Sequence, residues 1–182
     1  MATEQTWRVT ESVSFEDAIA FTQRLLGAID AGQIDDEMIT AAVASLVATS
    51  AGARGFFVVY LTSELAIADV PSAAIVGGLL GAPEVVSDLL VKNVAMSAAM
   101  AVHHRRNGDL TTARASDRVC RRSQDAIARL QLPRASERAH QLARSAATGE
   151  GNYTAFLRRY GYDAEQLQAI QQALAATAPA AN

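Results

Sequence analysis

Apolar positions recur at helical spacing through most of the chain, most densely between Pro83 and Arg106. Pro83 suits a first helical position, Glu84 and Asp88 suit the positive end of the helix dipole, and Arg105, Arg106 and Gly108 supply a stop. At 100° per residue, Val85, Leu89, Met96 and Met100 fill one sector; Leu90, Val94 and Ala101 fill the next, and Val91, Ala98 and Val102 the one after. That leaves a narrow strip for solvent, Asp88, Lys92, Ala95, Ala99 and Arg106. A helix apolar on most of its circumference is enclosed by other helices, so this stretch is expected at the centre of a bundle.

The flanking pattern supplies the neighbours. Ser14, Glu16 and Asp17 open a helix whose apolar side runs through Phe15, Ala18, Ile19, Leu25, Leu26 and Ile29. A second is expected over residues 35–50, stopped by Gly52, with Met38, Ala42 and Leu46 beside Ala41, Ser45 and Ala48 on its inner face. Phe56–Leu61 has the β-branched and aromatic residues of a strand, but no second strand of comparable quality exists to satisfy its backbone, so a helix is expected over residues 54–68. Pro71 opens a short helix weakened by Gly77, Gly78 and Gly81. After the central helix, Asp109 caps a helix from Leu110 to about Gln131, Pro133 breaks it, and further helices follow over residues 134–147 and 153–160. Asp163 with Gln166 forms a capping box for the last.

The fold class implied is all-α: a single-domain antiparallel bundle of about seven to nine helices around Pro83–Arg106. Residues 14–174 form the domain, residues 1–13 a polar, disordered N-terminal segment, and residues 175–182 a flexible tail. Composition agrees, because 38 of 182 residues are alanine and only 5% are aromatic, which favours helices that approach closely. The uncharged run Met38–Ala53 is rich in Ala, Ser and Thr and is too short to span a bilayer, so no membrane association is expected. One cysteine, Cys120, excludes an internal disulfide, and the N-terminus lacks a secretion signal; a cytoplasmic location is the expectation.

Charge changes the picture. Residues 1–104 carry 4 basic and 12 acidic side chains, whereas residues 105–144 carry 10 basic and 4 acidic ones. Such polarity favours head-to-tail self-association, and a homo-oligomer is expected. Arg114, Arg118, Arg121, Arg122 and Arg129 gather on one side of the Leu110–Gln131 helix as a basic patch. A nucleic-acid-binding regulator is the alternative reading this patch raises. Interspersed acids, a pI of about 5.6 and the lack of interleaved aromatics argue against it.

Candidate chemistry is sparse. No phosphate loop, nucleophile elbow or His-Glu-x-x-His motif occurs, and adjacent His103 and His104 point about 100° apart, wrong for joint metal binding from one helix face. No catalytic residue, metal or cofactor is therefore assigned. Asn93, Ser97 and His104 share one sector of the central helix among apolar neighbours; with Glu64 they form the candidate ligand pocket, and an enzyme built around them is a further alternative. The function expected is a soluble helical interaction, scaffold or small-ligand-binding module without catalytic activity, with a protein or a small ligand as partner.

Overall fold

The computed structural model describes residues 7–177. Among them the chain is all-α: nine α-helices, one 3-10 turn and no strand. The helices are α1 (Phe15–Asp30), α2 (Asp36–Val47), α3 (Ser50–Thr62), α4 (Ala73–Leu79), α5 (Pro83–Arg106), α6 (Leu110–Leu130), α7 (Pro133–Thr148), α8 (Thr154–Tyr160) and α9 (Ala164–Ala175), with the 3-10 turn at Ala66–Ala68. They form two compact units that divide between Val86 and Ser87, inside the first turn of α5.

In the first unit, α3 packs on α1 and α2, and α4 packs on α2. Small residues set those approaches. A Cβ on Gly55 would fall 2.5 Å from Ala18 Cβ, and one on Gly78 would fall 2.6 Å from Val43 Cβ, so both pairs of helices touch backbone to side chain. Phe56–Leu61 is helical, its backbone groups paired inside α3, and Phe56, Tyr60 and Leu61 are buried. The helix ends at Thr62, short of the expected residue 68, because Ser63 turns extended and the Tyr60 hydroxyl donates to Ile67 O at 2.8 Å to close the following loop. Gly52 does not stop α2. A new helix starts just before it, capped by the Thr49 side chain accepting from Gly52 N, and only glycine fits there because a Cβ would lie 2.1 Å from Leu46 O. The inner face of α2 also differs from expectation. Ile39, Val43 and Val47 are buried beside Ala42 and Leu46, while Met38 at the first turn is 44% exposed. Ahead of α1, Trp7 meets Phe21 edge-on at 6.1 Å and Val9 N donates to Ser45 Oγ at 3.1 Å.

In the second unit α7 lies against α8 and α9. Helix α5 joins this group: Gln166 of α9 donates to Ala99 O at 3.2 Å, and Arg106 reaches Asp163 and Glu165 at the start of α9. The face of α5 is rotated from the expected one. Ala95 and Ala99, placed in the solvent strip by the wheel, are both 0% exposed, while Met100 is 37% exposed. The reason is size. Ser87, Val91, Ala95 and Ala99, all 0% exposed, make a ridge at four-residue spacing, and a count of apolar bulk undervalues a ridge built mostly of small side chains. Length and composition alone would let α5 cross a bilayer, a criterion that the core helix of a bundle also meets; half of its most apolar window is buried.

Candidate functional site

Asn93, Ser97 and His104 stand on one side of α5, and Ser97 finds its partners in its own helix and at the Cys120 thiol. The Ser97 hydroxyl, 7% exposed, donates to Asn93 O at 2.5 Å and Val94 O at 3.2 Å, the back-bonding that satisfies a serine inside a helix. The half-buried His104 ring meets His103 edge-on at 5.4 Å. No hydrogen bond joins the three side chains among the described residues. Glu64 lies in the first unit, past the end of α3, on an exposed stretch leading into the 3-10 turn. Cys120 packs over Val94 O at 3.8 Å, and burial pushes its thiol up, away from the reactive thiolate. Among the described residues, no three His, Cys, Asp or Glu side chains converge as a metal site would require.

The arginines of α6 do not make one exposed face. Arg114, Arg121 and Arg129 are exposed and Arg118 is half-buried, but Arg122 is only 4% exposed and belongs to the interior. Its long stem carries it across the edge between the polar and apolar sides of the helix. Flanking arginines are tied to carboxylates: Arg105 to Asp117, Arg106 to Asp163 and Glu165, Arg134 to Glu137 at 3.4 Å and Arg138 to Asp88 at 3.4 Å.

Asp88 is the node that fixes α8. Its carboxylate accepts from Lys92 Nζ at 2.6 Å, the Tyr153 hydroxyl at 3.1 Å and Arg138 at 3.4 Å. The Lys92 ammonium lies 5.9 Å from the Tyr153 ring centre and 5.8 Å from that of Phe156. Burial raises the Tyr153 phenol above its ordinary value, so at neutral pH it stays the donor in this cluster. Its backbone N–H donates to Ser145 Oγ at 3.3 Å, which pins the loop between α7 and α8 from the other side.

With α8 held in this way, the ends of α7 and α8 and the start of α9 enclose a concavity of about 520 Å³. Ala146 and Leu157, both buried, and Leu167, half-buried, give it apolar walls. Thr148, Thr154, Tyr162 and Arg158 bring hydroxyls, a phenol and a guanidinium to it. Gly149 and Gly161 end α7 and α8 with φ of 73° and 61°, left-handed values that favour glycine, and both line the concavity without a side chain to fill it. Tyr162 is pushed up to about 12, first by burial and then by the neighbouring Tyr160, whose ring stacks on it at 5.7 Å. Arg158 has no carboxylate or hydrogen-bond partner for its guanidinium among the described residues. These groups bring hydrogen-bonding atoms, one positive charge and apolar surface to the concavity.

A family model described as uncharacterised conserved protein UCP020893 matches residues 14–177. The chain belongs to that family. No curated protein and no solved structure matches it. The matched span runs from Ser14, the N-cap of α1, to Thr177 just beyond α9, and so covers every helix that forms the concavity.

A second concavity of about 440 Å³ adjoins the first and shares Ser145 and Thr148 with it. Gln141, Arg144, Glu150 and Asn152 make this one polar, and its loop is tightly determined. A Cβ on Gly151, φ 113°, would come 2.8 Å from Ser145 Oγ, while Thr148 Oγ1 donates to Arg144 O at 3.0 Å and accepts from Glu150 N at 3.2 Å. Neither Arg158 nor Tyr162 belongs to a sequence motif. The signal present was the density of turn glycines, 149, 151 and 161, around one short helix.

Proposed function

We propose that this protein is a small-ligand-binding helical module whose ligand sits between α7, α8 and α9. The observation that supports this is the concavity of about 520 Å³, with an apolar floor and a few convergent polar groups. Pockets for small molecules have this form and fall between about 300 and 1,000 Å³. Asp88, Lys92 and Tyr153 hold one wall in place before any ligand arrives, which limits the entropy lost on binding.

Thermal unfolding against a panel of small metabolites tests the reading, since a ligand at a hundred times its Kd adds about 2.7 kcal/mol to the folded state. Ala147→Trp is the matched control: Ala147 is exposed and lines the concavity, so the larger side chain occupies the space without disturbing the core. The expected result is a stabilising compound whose effect disappears in the folded Ala147→Trp protein. A ligand effect that survives this substitution places binding elsewhere and counts against the proposal.

A further inference from the structure

We infer that the ligand is an anion with a short apolar portion, its charged head held by Arg158 and its apolar part by Leu157 and Leu167; this rests on the concavity being a ligand site. Charge around the site carries the inference. The lining contains one guanidinium and no carboxylate. The acids closest in sequence to Tyr162, Asp163 and Glu165, are engaged by Arg106 and so are compensated. Glu150 lines the adjoining concavity and not this one. Arg158 therefore supplies positive charge that nothing else in the lining offsets, at the rim of a site whose buried wall includes Leu157 at 7% exposure. A guanidinium is the side chain best suited to a carboxylate or phosphate head, because its planar fork of donors matches two anionic oxygens. Tyr162 adds to this. Its phenol remains neutral at physiological pH and offers an O–H donor where an ionised tyrosine would repel an anion.

Carboxylate and phosphate heads share this chemistry, and the experiment separates them. The full-length protein is titrated with hexanoate, hexyl phosphate and the uncharged hexanamide while backbone amide NMR signals are followed. The anions are expected to shift the signals of Gly149, Gly161 and Tyr162, with whichever head fits better giving the lower Kd. In Arg158→Gln binding is expected to weaken about tenfold or more, in line with loss of a charged hydrogen bond. Arg159→Gln, which removes an adjacent charge outside the lining, is expected to change binding far less. Hexanamide binding as tightly as hexanoate, or anion binding unchanged in Arg158→Gln, would overturn the anion assignment and leave the concavity as a site for neutral ligands. Shifts from none of the three compounds would overturn both readings.

Discussion

Gly78 leaves no room for a side chain beside Val43: a Cβ at Gly78 would stand 2.6 Å from Val43 Cβ and 2.9 Å from Thr40 O. Gly77, one residue earlier, would meet nothing closer than Thr40 Cγ2 at 3.6 Å. The two glycines should therefore respond oppositely to alanine. Gly77→Ala gains helix propensity, up to about 1 kcal/mol, at no steric cost. Gly78→Ala gains the same propensity but must push α4 off α2, and overpacking of this kind costs about 1 to 3 kcal/mol. Urea unfolding should show a higher midpoint for Gly77→Ala and a lower one for Gly78→Ala.

A similar contrast holds on α5. Ala99 is 0% exposed and its carbonyl accepts from the Gln166 side chain, whereas Ala98 is half-buried. Ala99→Asp places an unpaired charge at a buried position and should cost about 3 to 5 kcal/mol. Ala98→Asp should be tolerated better, since its side chain retains access to water. Circular dichroism melts of the two variants rank them directly, and equal melts would show that the Ala95–Ala99 ridge is not a packing surface.

Local signals explain what the sequence made legible. The bounds of α5, the Asp109 cap of α6 and the capping box between Asp163 and Gln166 were all readable, because each depends on a few residues close in sequence. The helical state of Phe56–Leu61 was readable from the lack of any partner strand. The break between α2 and α3 was not. It falls at Ala48–Thr49, where no glycine or proline marks it, and Gly52 is there for close approach to Leu46 and not for termination. Burial of Arg122 and of Ala95 depends on which helix lies opposite, which periodicity does not encode. The concavity is a property of three helix ends meeting, so the shared lining that Arg158 and Tyr162 form with Thr148 and Leu167 exists only in the fold.

The start of α9 should be acid-sensitive. Asp163 is held down to about 2, first by hydrogen bonds from Arg106 and then by the Gln166 N–H it caps. A carboxylate whose folded value is depressed stabilises the fold fully above its unfolded value of about 3.9, and that contribution is lost as pH falls from there towards 2. Carboxyl NMR titration should find Asp163 well below ordinary aspartates and rising in Arg106→Gln. Asp163→Asn should be less stable than the parent near neutrality, and the gap should narrow as the parent's carboxylate protonates. Because the pair is exposed, added salt should shrink the Arg106 contribution while leaving the cap.

The last expectation concerns the candidate site at alkaline pH. Burial, with Tyr160 stacked beside it, raises Tyr162 to about 12, against an unfolded value of about 10. Between those values the unfolded chain releases the phenolic proton and the folded protein keeps it. The stabilisation is therefore complete below about pH 10 and is lost as pH rises through the folded value. Subtracting the ultraviolet phenolate titration of Tyr162→Phe from that of the parent isolates this residue, and its midpoint should lie clearly above that of an unfolded tyrosine. Urea unfolding at rising pH should show a decline in the parent that is shallower in Tyr162→Phe. An anion seated at Arg158 should move the Tyr162 midpoint higher still, since negative charge beside the phenol opposes its ionisation. A midpoint that stays fixed under saturating hexanoate, while Arg158 signals respond, would place the anion away from Tyr162 and confine the site to the α8 side of the concavity.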